Sequence, residues 1–144
     1  MSTAFLDISA ALSANLNTYA AANSVPVAWQ NVQYTPITGA KYLRETLQPG
    51  DTKPSARGSS ALDLTLGSYQ VDAFTLASSK LGKSEAIMLA DGIADQFKRG
   101  TVLNYNGVKV TITDSPSFGT GSTDGAWFIV PVHITFKSYT QPRV

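Results

Sequence analysis

The sequence predicts a single α+β domain in which a mostly antiparallel β-sheet is covered by two α-helices. Apolar residues recur at helical spacing in two segments and alternate with polar residues in several others, and hairpin-length links join the alternating segments. The chain has 144 residues, of which 43% are hydrophobic. This is enough for one core but too little for a second, so we expect residues 1–144 to form one domain.

Two segments carry the helical pattern. In the first, which Ser2 or Thr3 can cap, the apolar face consists of Phe5, Ile8, Leu12, Leu16 and Tyr19. Asp7 stands where a signal peptide needs basic residues, so we expect an amphipathic helix of the folded domain. In the second, which Gly100 can cap at its C-terminus, the apolar face consists of Ala86, Leu89, Ala90, Ile93 and Phe97.

Extended structure is predicted for most of the remaining chain. Asn106-Gly107 is typical of a type I′ turn, Gly67 indicates a bulge or bend within its strand, and Pro131 indicates an edge strand or a bulge. The strand patterns occupy residues 42–47, 62–76, 102–105, 108–112 and 128–136.

Residues 48–60 read QPGDTKPSARGSS, a stretch with almost nothing to bury, and predict a flexible loop. Charged residues gather around it. These charges could contact DNA or an acidic partner surface, but four cations against two anions make a weak nucleic-acid footprint. A solvated loop is therefore favoured, and no sequence-specific nucleic-acid partner is expected. The candidate contact residues are Lys41, Arg44, Asp51, Lys53 and Arg57.

The composition argues against most catalytic chemistry. The net charge of +1 gives no general attraction to nucleic acid or to an anionic membrane, and the absence of cysteine excludes disulfides and thiolate metal sites. The single histidine, His133, falls on the polar face of the last strand with no acidic residue at a telling spacing. We therefore predict no catalytic, cofactor-binding or metal-binding residue.

One motif favours an alternative. Residues 77–84, ASSKLGKS, fit a relaxed phosphate-loop pattern in which Lys83 and Ser84 would bind a nucleotide, with Asp114 as a metal ligand. However, Ala77 replaces the first glycine, and the later strand VKVTITD alternates instead of forming the apolar run of a buried parallel strand. A loop followed by a helix start is the favoured interpretation.

Five segments together resemble the tail terminator family of long, non-contractile-tailed phages. They cover most of the chain and reproduce an order of elements: an N-terminal helix, an early segment with tryptophan, a Y-Q-V-D strand, a helix ending in F-K-R-G and a final apolar strand. The segments are VAWQNVQYTP, YLRETLQPGD, GSYQVDAF, EAIMLADGIADQFKRGTVL and DGAWFIVPVHITFKSY.

This resemblance implies a structural virion protein that needs no cofactor and has no membrane partner. It implies a hexameric ring that caps the tail tube, ends its polymerisation and offers a surface to the head. The implied partners are other copies of the chain, the tail tube protein and the head–tail connector protein. The location would be the head-proximal end of the tail in the virion, and the host cytoplasm during assembly. A head-completion or minor tail protein is the nearer alternative, and a phosphate-loop enzyme is the more distant one.

Overall fold

Helices pack on one face of a curled β-sheet. The computed structural model describes residues 2–37, 39–58, 61–78 and 82–143, in which there are two helices and eight strands. The helices are α1 (Ala4–Ala22) and α2 (Lys83–Gln96). The strands are β1 (Val27–Ala28), β2 (Tyr42–Pro54), β3 (Asp63–Leu76), β4 (Val102–Tyr105), β5 (Val108–Ile112), β6 (Ser117–Phe118), β7 (Ser122–Asp124) and β8 (Trp127–Thr140).

The strand order confirms the predicted α+β class. The sheet runs β1-β2-β3-β8-β5-β4, while β6 and β7 also pair with β8. Among the described strands only β1 and β2 pair in parallel. Because β3 pairs with β8 along its whole length, strands β5, β6 and β7 share the opposite edge of β8. Long β2, β3 and β8 therefore form the centre of the molecule.

Both predicted helices are present and bury most of the predicted residues. On α1, Phe5 lies near the helix start and remains 45% exposed, and Tyr19 is partly buried. The C-cap of α2 is Phe97 and not Gly100, which lies three residues later in a turn with φ +88°. The buried Phe97 ring holds the helix end against the core before the chain reaches that glycine.

The predicted loop at residues 48–60 is shorter than expected. Residues 48–54 continue β2 and pair with β3, because backbone hydrogen bonding to a long partner strand does not require apolar side chains. Residues 55–58 and 61–62 belong to the connection, and Ser59 and Ser60 lie outside the described residues. The mobility of this connection stays a prediction.

The predicted bulge lies across from Gly67 on the neighbouring strand. The pairing shifts between Pro49 and Thr52, so two residues of β2 face Leu66. Gly67 itself leaves space for the Phe136 ring of β8, since a Cβ at this position would lie 2.8 Å from Phe136 Cζ. The Asn106-Gly107 turn is confirmed, with positive φ at both residues.

Pro131 does not mark an edge strand, because β8 has neighbours on both sides. The Gly119 amide donates to the Pro131 carbonyl at 2.9 Å. The nitrogen and carbonyl of one strand residue point to the same side, so the missing N–H faces the break between β6 and β7. A proline is tolerated in this central strand because no regular ladder runs past it on that side.

Candidate interaction surfaces

Arg44 is held on the sheet and is not part of a loop. Its Nη2 lies 2.8 Å from Asp72 Oδ2, and its guanidinium carbon lies 4.9 Å from the centre of the Phe74 ring. Asp72 is buried and also accepts a hydrogen bond from Gln70 Nε2 at 2.8 Å. These contacts give Arg44 a role in stabilising the outer face of the sheet, the face away from the helices.

The five predicted contact residues fall into two separate groups. Lys41 and Arg44 lie at one end of β2, whereas Asp51, Lys53 and Arg57 lie at the other end. At about 3.3 Å per residue, nine residues of strand place Lys53 roughly 30 Å from Arg44. Sequence proximity suggested one cluster, but the unexpected length of β2 divides it.

The far end of β2 and the turn after it, residues 48–58, lie at the open edge of the sheet, and we call this segment the projecting hairpin. Every one of these residues is exposed, so neither face of this part of β2 is covered. Asp51 and Lys53 make a long, solvent-exposed ion pair of 3.9 Å. Side chains here are free to contact another protein.

The open edge of this hairpin is poorly suited to strand addition. Leu47 N–H donates to Gln30 Oε1 on the side away from β3. Since the backbone nitrogens of a strand alternate between its two sides, the Pro49 nitrogen also faces the open edge. Ser55 N–H donates to the Leu62 carbonyl, so Pro54 also faces outward. Because proline has no N–H, two of the ladder positions cannot donate.

At the opposite end of the sheet, the segment before β2 forms one flank of the molecule. Tyr34 packs on the outer face against Tyr42, with ring centres 5.0 Å apart. Tyr42 stacks on Phe74 at 4.4 Å. While Tyr34 anchors the segment, Val32 and Ile37 remain 61% and 60% exposed. We call these two side chains the apolar knob.

The other flank carries a hollow of about 480 Å³ between α2 and the β6–β7 segment. We call it the α2 groove. Lys83 and Asp91 belong to its rim. At the groove the Gly121 backbone packs closely against the Phe128 ring, because a Cβ at Gly121 would lie 2.5 Å from Phe128 Cζ. Its apolar lining includes Ile87, Ala90, Phe118, Phe128 and Val130.

The residues of the phosphate-loop interpretation are not arranged for nucleotide binding. The strands that follow α2 form an antiparallel hairpin, whereas a phosphate loop belongs to a parallel sheet. Asp114 accepts hydrogen bonds from Thr135 at 2.8 Å and Thr113 at 3.0 Å, and these bonds lower its pKa. It does not line the groove beside Lys83. Residues 79–81 of the motif lie outside the described part.

His133 is half-buried on the outer face of β8, as predicted. In the described ranges, no three His, Cys, Asp or Glu side chains come together as a metal site. Across the same ranges, neither helix has the length and apolar character needed to cross a membrane.

Sequence reasoning missed both the apolar knob and the α2 groove. Ile87 and Phe118 are separated by some thirty residues, and only the pairing of β6 with β8 brings them to one hollow. A usable signal was the absence of charged residues from 30–40, together with Val32 and Ile37 lying outside any periodic element.

Comparison with known proteins gives a family and a fold. A family model described as phage tail terminator protein matches residues 7–136. One solved structure, of a protein whose name states no function, aligns with a TM-score of 0.78 at 24% identity over 99% of this chain and 100% of the other. A chain from the virion of a native gene transfer agent particle aligns with a TM-score of 0.59 at 16% identity over 99% and 100%. At these identities the two structures show the fold alone. No curated protein matches this chain.

Proposed function

Since this chain belongs to the phage tail terminator family and is therefore a structural protein of the phage tail, we propose that it forms a ring closing the tail tube. The ring is a hexamer at the head-proximal end. It ends polymerisation of the tube and provides the surface that joins the head. Its partners are other copies of itself, the tail tube protein and the head–tail connector protein. The chain acts in the virion after assembly in the host cytoplasm.

The observation that carries this proposal is the extent of the family match. Residues 7–136 run from the first turn of α1 into the last third of β8, so the match includes the helical layer and nearly the whole sheet. A ring of identical subunits needs two different surfaces on each subunit, repeated by rotation until the circle closes. The knob flank and the groove flank are two such surfaces.

The projecting hairpin supports a second contact. It lies at the open edge of the sheet, its β2 side chains are all exposed from residue 48 onward, and it carries Asp51, Lys53 and Arg57. We assign these three residues to a contact with a neighbouring subunit or with the tail tube. Since Pro49 and Pro54 block strand addition, this contact uses side chains. Lys41 belongs to the flank at the other end of β2.

Two measurements test the proposed function. Mass photometry of the purified protein is expected to show a six-subunit species, either alone or after addition of isolated tail tubes. Electron microscopy of particles made without the protein is expected to show tails of uncontrolled length that carry no head.

The same microscopy separates the alternative. Headless tails of normal, uniform length would reject termination and favour a head-completion protein. Headed tails of normal length would reject any role at this station.

A further inference from the structure

We propose that the apolar knob of one copy occupies the α2 groove of the next copy around the ring. This inference rests on the proposed ring and names the surfaces that build it. Its partner is a second copy of this chain, bound head to tail.

The knob and the groove lie at the same end of the sheet on opposite flanks. One row of paired residues crosses four strands, from Tyr42 through Phe74 and Ile129 to Ser122. The knob segment enters β2 next to Tyr42, and the groove lies beside β7 at the far end of this row. Three strand spacings of about 4.8 Å separate the two ends of the row. Neighbouring subunits set side by side therefore carry the knob and the groove at the same level along the strands.

Both surfaces have the chemistry of a buried contact. Val32 and Ile37 are more than half exposed, and residues 30–40 contain no charged residue. In the groove, Ile87 is 42% exposed and Phe118 is 49% exposed, although both are large apolar side chains. Removing these four side chains from water together provides the main driving force for association.

Charge complementarity sets the register of the contact. Lys41 follows the knob, and Asp91 stands on the groove rim; neither forms an ion pair within the described ranges. Lys83 also stands on the rim and would repel Lys41. We infer that Lys41 of one copy faces Asp91 of its neighbour and avoids Lys83, since charged pairs at an interface rim mainly fix orientation.

A second copy fits these surfaces better than an unrelated protein. A knob and a matching groove on the same chain, at opposite flanks, produce the same contact at every step of rotation. Two copies joined isologously would instead need one surface that complements itself. The knob and the groove lie on opposite flanks, so neither flank carries both halves of such a surface.

Engineered cysteines test the contact directly, because the chain has no native cysteine. A chain carrying both Ile37→Cys and Phe118→Cys is oxidised after assembly on tail tubes and run on a denaturing gel. We expect a ladder of covalent species that extends to the full ring. The control pair, Ile37→Cys with Leu66→Cys, places the second thiol at an exposed position of the outer face and is expected to remain monomeric.

Charged substitutions provide the second measurement. Ile37→Asp is expected to weaken ring assembly at least tenfold while the circular dichroism of the monomer stays unchanged, and Leu66→Asp is expected to leave assembly intact. Lys41→Glu alone is expected to weaken assembly, and adding Asp91→Lys is expected to restore it.

The results separate this inference from the proposed function. Suppose that the Ile37→Asp chain forms rings normally and that the chain with Ile37→Cys and Phe118→Cys gives no covalent ladder. These two results together would overturn the knob-and-groove contact and leave the proposed ring unaffected. Failure of the unaltered chain to form any oligomer, in solution or on tails, would overturn both.

Discussion

The phenolic hydroxyl of Tyr69 donates a hydrogen bond of 2.5 Å to Glu45 Oε1 in the interior of the protein. Ser13 donates to the same oxygen at 2.7 Å, and the backbone N–H of Gln30 donates to Oε2 at 3.2 Å. No cation pairs with Glu45 within the described ranges. These three donors therefore offset the cost of burying the carboxyl group and tie α1, the segment after β1, β2 and β3 together.

Replacing Tyr69 with phenylalanine is expected to lower the free energy of unfolding by about 1 to 3 kcal/mol, because a buried carboxyl group loses one of its donors. Urea denaturation measures the change. Tyr139→Phe is the matched control, since Tyr139 is 47% exposed, and it is expected to change stability by less than about 0.5 kcal/mol. Equal effects of the two substitutions would contradict the role assigned to Tyr69.

Stability is also expected to fall at alkaline pH through Tyr69. Burial raises its pKa far above the usual value of about 10, and the negative charge of Glu45 and the hydrogen bond to it raise the pKa further. A group whose folded pKa is raised contributes stability that is fully present below its unfolded pKa and is lost as pH rises above it.

The loss from this one group is expected to be about 1.4 kcal/mol per pH unit above pH 10. Tyr69→Phe lacks this group, so the stability difference between the two proteins should narrow between pH 9 and pH 11. Urea denaturation at several pH values measures the difference. A constant difference over this range would show that Tyr69 ionises as easily in the folded protein as in the unfolded chain.

Replacing Gly92 with alanine is expected to lower stability, the opposite of the usual effect in a helix. Alanine usually stabilises a helix interior by about 1 kcal/mol relative to glycine. Here a Cβ would lie 2.3 Å from Tyr19 Oη, where α1 and α2 approach each other. Gly92→Ala is therefore expected to destabilise the protein by about 1 to 3 kcal/mol through overpacking. In a Tyr19→Ala background the same substitution should stabilise it, as measured by thermal unfolding.

The two ion pairs should differ in their contribution to stability. Among the described residues, Arg44→Ala leaves the buried Asp72 with the Gln70 side chain as its one remaining side-chain donor, and it is expected to cost about 1 to 3 kcal/mol. Lys53→Ala removes an exposed pair and is expected to cost less than about 0.5 kcal/mol. Denaturant unfolding of both variants makes the comparison. A larger loss for Lys53→Ala would show that the hairpin is packed more tightly than its exposure indicates.

Charge reversal on the projecting hairpin is expected to affect assembly without affecting folding. The double variant Lys53→Glu and Arg57→Glu should give few completed particles by electron microscopy while retaining the melting temperature of the unaltered protein. Lys109→Glu, at an exposed position of β5, is the control for a general change in charge. Normal, headed tails from the double variant would remove these residues from the contact.

The sequence determined the helices and the type of sheet, because the buried side of a helix or strand repeats with a short period along the chain. The steps of four residues through Ile8, Leu12 and Leu16 indicate a helix with one buried side. Asn106-Gly107 fixed a hairpin through the positive φ angles that both residues adopt. The resemblance in order and pattern was confirmed as a family by the match over residues 7–136.

Only the tertiary structure decided how far β2 extends and which surfaces share a flank. Residues 48–54 have the composition of a loop, yet they form a strand because β3 offers them a backbone partner, and pairing between main chains leaves no trace in side-chain pattern. The separation of Arg44 from Lys53 and the meeting of Ile87 with Phe118 depend on strand order and register. These relations join distant parts of the chain, so local periodicity does not encode them.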